Sequence, residues 1–242
     1  MLEVKKDPQT TTPAHTEAWP ASLYARPRIP AMASPLVGSL VAEDIMDACR
    51  SAMQQFGIEG LTSIGITSSL RGEGRTTLAI AVALVLAEYG LDTTLVELDF
   101  DQPALANRLA VSASPGLGEL SEGRATLGEA VRPISAGLSV ITAGRIQGSV
   151  PRALSQLAKT NLLAEMAAQG QVVVADLPPL LGNSIGRQAA AMLADLVLVV
   201  RAGVVPAASI LEAVAGLPVT PKVLVNGTHT HVPSWALRLS GI

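Results

Sequence analysis

The stretch "TSSLRGEGRTT" at 67–77 carries the residues best suited to chemistry. Gly72 and Gly74 allow positive φ and a close approach of backbone to phosphate. Amides of the turn and of a following helix N-terminus would then converge on an anion. The Thr76 hydroxyl is available to Mg²⁺. A plain glycine turn with threonine as a helix cap competes with this reading, because Arg75 stands where such loops carry lysine. Three carboxylates follow: Glu97 and Asp99 in "TTLVELDF", and Asp176 in "QVVVADLPPL". Acids at strand ends suit Mg²⁺, which prefers oxygen ligands. Asn226 precedes Gly227, a pairing that by itself marks a turn. His229 and His231 share a polar tail without a third ligand and are read as surface residues, as is Arg201.

These residues need elements to place them. Ile45, Cys49, Ala52 and Phe56 recur at helical spacing over 40–56, with Gly57 as the stop. "LTSIGITSS" predicts a strand entering the glycine loop, and Thr76 to Tyr89 a helix apolar on nearly every face, hence buried. "TTLVELDF" and "LSVITAG" are the second and third strands. Pro151 opens a helix with Leu154, Leu157, Leu162 and Met166 on its buried face and Gly170 at its end. "QVVVADLPPL", "ADLVLVVRAG" and "PKVLVNG" are the fourth to sixth strands. Strands alternating with helices predict an α/β fold: a doubly wound, mainly parallel sheet with helices on both faces. In such a sheet the strand C-termini share one edge, where ligands bind. Glu97 and Asp99, two apart, share one face of their strand.

Composition supports a folded domain and narrows its class. The chain has 242 residues, 49% apolar but only 2% aromatic, so its core is aliphatic, as suits a parallel sheet. Net charge is −3 without a basic block, which argues against a nucleic-acid partner. Cys49, the one cysteine, excludes an internal disulfide. The sequence begins without a signal-peptide pattern, and no run approaches the ~18 apolar residues of a membrane span. A cytoplasmic protein is expected, with any membrane association coming through a partner, at the inner face, or through the protein surface. Residues 1–35, rich in Pro and Thr, read as a flexible leader, and 36–242 as the folded domain.

Together these stretches resemble the cytoplasmic kinase domain of bacterial tyrosine kinases of capsule and exopolysaccharide systems, a family of P-loop ATPases. "TSSLRGEGRTT" resembles its Walker A loop, "TLVELDFDQP" its second acidic motif, and "VVVADLPPLL" its Walker B strand. "LVLVVRAG" and "VLVNG" are similar to its late strands. The resemblance implies ATP phosphates held by Gly72, Glu73, Gly74, Arg75, Thr76 and Thr77, and Mg²⁺ held by Thr76, Asp99 and Asp176. It further implies Arg75, Glu97 and Asp99 in phosphoryl transfer, and Asn226 against adenine. It also implies a membrane-embedded polysaccharide co-polymerase as partner and a homo-oligomeric ring.

The departures bear on turnover. Arg75 replaces lysine, and its planar fork is not a lysine's point charge. Glu97 replaces aspartate with one extra methylene. Arg71 stands where the family tends to have proline. The family's Glu-x-x-Arg-x-x-Arg ring motif is not intact in "AEDIMDACRSAM". Its C-terminal tyrosine cluster is missing; Tyr24 and Tyr89 are the chain's two tyrosines. Three readings follow: an ATP-binding kinase-like protein with reduced phosphoryl transfer, a catalytically inactive regulatory subunit bound to the export machinery, and, less favoured, a partition-type ATPase. The last carries a lysine early in the loop, where this chain has Leu70.

Overall fold

A computed structural model describes residues 40–227. The 1–35 leader and the tail with His229 and His231 lie outside the described residues. Along the chain run α1 (Glu43–Phe56), β1 (Ser63–Ser68), α2 (Arg75–Glu88), β2 (Thr93–Glu97), α3 (Leu105–Arg108), α4 (Leu117–Ser121) and α5 (Leu127–Ala130). Then come β3 (Arg132–Ser135), β4 (Leu138–Ile141), α6 (Val150–Lys159), α7 (Leu162–Ala168), β5 (Val172–Asp176), α8 (Ser184–Ala190), β6 (Asp195–Arg201), α9 (Ala207–Val214) and β7 (Lys222–Asn226). The strands form one seven-stranded sheet in the order β3-β4-β2-β5-β1-β6-β7. Every pairing is parallel except β3 with β4. This is the expected mainly parallel α/β architecture of P-loop NTPases.

Central strands are buried on both faces, so β1, β2 and β5 read as continuous buried runs. One core lies beneath α1 and α2, the other beneath the helices of the opposite face. Helix α2 is covered twice, by the sheet on one side and by α1 on the other. That double cover explains a helix buried almost continuously from Leu78 to Leu86. Cys49 belongs to this packing, with its thiol pushed up to about 12 by burial and therefore inert.

Local details differ from expectation. The buried stripe of α1 is Met46, Cys49 and Met53, while Ile45 is exposed. Both stripes satisfy helical spacing, and contact with α2 selects between them. The helix expected from Pro151 to Gly170 is broken at Asn161, which has φ 53; its four apolar residues are nonetheless all buried. Strand β3 adds an antiparallel edge that apolar patterning did not mark, because its residues are only partly buried.

Candidate functional site

β1 ends at the sheet centre, between β5 and β6, and delivers the glycine loop to the edge where β2 and β5 end. Gly72 has φ 82 and Gly74 φ 101, backbone that a side chain would strain. Glu73 between them turns inward and is 1% exposed. Its carboxylate accepts from the Leu70 amide at 2.7 Å and from the Arg201 amide, at the end of β6, at 2.9 Å. The Asn226 side-chain amide donates to the Glu73 carbonyl at 2.9 Å. A Cβ on Gly74 would stand 2.6 Å from that Asn226 nitrogen. Glu73 and Asn226, both expected at the ligand, also brace the loop against β6 and β7. The Arg201 side chain is exposed, as expected, and only its backbone is engaged.

Arg75 opens α2 but its side chain turns away from solvent. The guanidinium donates to the Leu177 carbonyl, just past β5, and to Asp99 Oδ2 at 3.3 Å. Arg71 approaches the same oxygen at 3.6 Å from a more exposed position. Asp99 Oδ1 accepts from the Gln102 amide at 3.2 Å. Both oxygens of Asp99 are thus engaged.

Asp176, at the end of β5, is 2% exposed and its Oδ1 has no hydrogen-bond partner. Burial pushes its pKa up to about 7; a hydrogen bond with the Thr76 side chain and the charge of Arg75 oppose the rise, and Glu97 and Asp99 add to it. Thr77 is engaged elsewhere, its hydroxyl accepting from Arg108 of α3 at 2.9 Å.

Glu97 and Asp99 leave β2 together but their carboxylates diverge. Glu97 accepts from the amides of Ala104 and Leu105, where α3 begins, and from the Ala143 amide, just past β4, at 3.0 Å. At 1% exposure it binds three chain segments together. Burial raises its pKa, against the lowering pull of those amides. The extra methylene relative to aspartate gives the reach toward α3 and β4. No spacing rule reveals this role, since the three donors lie 7, 8 and 46 residues away.

Of the groups expected around Mg²⁺, Thr76 and Asp176 lie together, and a threonine hydroxyl with an aspartate whose Oδ1 is unpartnered suits an ion that takes its remaining ligands from phosphates and water. Asp99, the third expected ligand, is instead engaged by two guanidinium groups and an amide. Among the described residues no group of three or more His, Cys, Asp or Glu side chains forms a metal-holding cluster. A separate cavity of about 430 Å³ is lined by Arg124, Gln147 and Arg152 among others. Glu122 there takes the Arg124 guanidinium and the amides of Gln147 and Gly148, so those donors are already engaged.

No protein-family profile matches the chain. It is 29% identical over 122 residues to the tyrosine-protein kinase YwqD of Bacillus subtilis, covering 50% of this chain and 52% of YwqD. It is 29% identical over 141 residues to the tyrosine-protein kinase CpsD of Streptococcus agalactiae, covering 57% of this chain and 61% of CpsD. The chain is thus similar, at a distance, to bacterial tyrosine kinases. Its matches span 52% and 61% of the length of those two relatives. The VpsO kinase domain superposes on this chain with a TM-score of 0.66 at 27% identity, covering 77% of this chain and 98% of that domain. The kinase domain of Escherichia coli ETK does so with a TM-score of 0.72 over 87% of this chain and 85% of that one. At 20% identity, the ETK likeness speaks for the fold alone. No helix among the described residues is long and apolar enough to cross a membrane.

Proposed function

We propose that this protein is an ATP-binding relative of the bacterial tyrosine kinases, serving polysaccharide synthesis and export with reduced phosphoryl transfer. The observation that carries the reading is the commitment of Arg75 to Asp99 and the Leu177 carbonyl. The glycine loop retains the means to bind an anion: positive-φ glycines, free turn amides and the start of the 14-residue helix α2. What it lacks is a charge poised to move with the transferred phosphoryl group, since phosphoryl transfer depends on positioning and electrostatic stabilisation. Misplacing a group by ~1 Å can cost ~100-fold in rate.

Glu97 supports the same conclusion. With three amide donors on its two oxygens, it serves as a structural acceptor rather than as a base for an attacking hydroxyl. The closely related second reading is a regulatory subunit without transferase activity, favoured by the same two residues. In either case the partner is a membrane-embedded polysaccharide co-polymerase, by analogy with the family, and assembly of several copies goes with it. The protein would then work at the inner face of the membrane through that partner.

Two measurements test the proposal. ATP should raise the melting temperature; no shift at millimolar ATP would remove the nucleotide. Labelled ATP should leave little label on the wild-type protein or on a tyrosine-containing peptide. Robust transfer by the wild type would contradict reduced turnover. Transfer appearing only with Arg75→Lys would identify Arg75 as the cause.

A further inference from the structure

We propose that Arg108 is a phosphate-binding residue of the nucleotide site, and that it holds a phosphate common to ADP and ATP. The inference rests on the nucleotide reading above and adds to it a residue from outside the glycine loop.

The Arg108 guanidinium donates to the Thr77 hydroxyl at 2.9 Å. Thr77 lies in the first turn of α2, so this cation stands beside the positive end of the helix dipole. That turn carries no acidic residue, and the N-cap, Gly74, provides no side-chain acceptor. A cation and a helix N-terminus repel one another, and an anion between them removes the repulsion. The other two arginines here, Arg71 and Arg75, share the Asp99 carboxylate. Among the described residues Arg108 pairs with no carboxylate. Two buried side chains independently mark the place as one built for a ligand. Asp176, 2% exposed and hydrogen-bonded with Thr76, has an unpartnered Oδ1. The Ser69 hydroxyl, inside the loop and 0% exposed, is unpartnered as well.

The surrounding fold fixes where Arg108 stands. Leu105 and Leu109, both buried, anchor α3 in the core beneath α1 and α2. The Glu97 carboxylate accepts from the amides of Ala104 and Leu105. Arg108 follows within the same turn, its amide donating to the Ala104 carbonyl at 3.0 Å. Buried groups thus set the backbone, while the residue itself is exposed at the loop.

A guanidinium has several N–H donors, and the bond to Thr77 uses one of them. The Thr77 hydroxyl accepts that bond and keeps its own proton to donate. Guanidinium and hydroxyl are therefore adjacent donors for one phosphate, and the charged one gives the stronger bond. Successive helix residues point about 100° apart. Thr76 meets Asp176, on the side suited to Mg²⁺, whereas Thr77 faces α3. The phosphate held by Thr77 and Arg108 is thus set apart from the one at which transfer would occur. Arg108 favours either nucleotide without assisting transfer, in keeping with a site that holds ATP and turns it over slowly.

The test is calorimetric titration of the full chain with ADP and with ATP, both in excess Mg²⁺. Arg108→Ala is expected to weaken both nucleotides by about tenfold or more and by similar factors, as befits a lost hydrogen bond to a charged group. Arg108→Gln, which can still donate to Thr77 but carries no charge, should lose about as much, and Arg108→Lys should recover part. Melting curves without nucleotide should match the wild type, because the residue is exposed. If Arg108→Ala melts lower, Arg108→Gln decides. Lys159→Ala, at the last residue of α6, removes a positive charge elsewhere and should leave both affinities within about twofold. Unchanged affinity in Arg108→Gln, an equal loss in Lys159→Ala, or a loss confined to ATP overturns this inference and leaves the nucleotide reading standing. No binding by the wild type overturns the nucleotide reading itself.

Discussion

The Asn226 side-chain amide donates to the backbone carbonyl of Glu73 at 2.9 Å, fastening the last strand of the sheet to the loop that follows its central strand. The Glu73 carboxylate completes the attachment through the Arg201 amide. The loop's shape is therefore fixed from outside the loop.

Glu73→Ala should loosen it. Two amides, of Leu70 and Arg201, lose a charged acceptor at a site 1% exposed. A loss of about 1–3 kcal/mol in unfolding free energy is expected, the usual cost of leaving buried donors unpaired. ATP affinity should fall in parallel. Urea denaturation with and without ATP reads both, and an unchanged midpoint would show that the two bonds contribute nothing.

Gly74→Ala tests the same junction from the other side. The substitution meets φ 101 and an Asn226 nitrogen at 2.6 Å. Backbone strain of this kind costs about 1–3 kcal/mol. Adding Asn226→Ala should recover only the steric part, leaving the strain from φ. Full recovery in the double variant would assign the whole cost to the clash.

Glu97→Asp restores the family's residue and, on this geometry, should do harm. The shorter side chain cannot keep all three amides of Ala104, Leu105 and Ala143. We expect a destabilisation of about 1–3 kcal/mol and no gain in transfer of label from ATP. Faster hydrogen exchange at those three amides is the direct readout. Enhanced label transfer would return position 97 to a catalytic role.

Asp176 predicts a pH dependence. Its pKa is raised by burial from 3.8 to about 7 in the folded chain. The folded state therefore holds a proton that the unfolded state has released. That contribution is fully present below about pH 4 and is lost as pH rises through about 7. Asp176→Asn removes it, while the similarly raised Glu97 stays in both proteins. The stability of the variant relative to wild type should increase between pH 5 and pH 8. A pH-independent difference in urea midpoints would refute the assignment.

The sheet was legible because its strands are apolar runs with abrupt ends, and because α2 is too apolar to lie anywhere but inside. Periodicity could not choose between Ile45 and Met46 on α1, since adjacent helical stripes differ by one residue and the neighbouring α2 decides. Nor could it mark Asn161 as a break within an otherwise helical apolar pattern. At the site, residue types correctly located Arg75, Asp99, Asp176 and Thr76 at one sheet edge. What they could not give was direction. Glu73 and Glu97 turn inward to backbone amides, and such partners leave no trace in side-chain spacing. Glu119 was missed for the same reason: buried, it takes the amides of Gly116 and Arg145 and the Ser114 hydroxyl.

The place of β1 between β5 and β6 also sets the order in which the protein can be made. The loop's fastenings run from Glu73 to partners 128 and 153 residues later in the chain. As the chain leaves the ribosome, the loop emerges early but has nothing to hold it until β6 and β7 follow. Pairings so distant in sequence form slowly. Phosphate binding should therefore switch on only with the last strands, so that a nascent chain stalled before Arg201 carries the glycine sequence without its function.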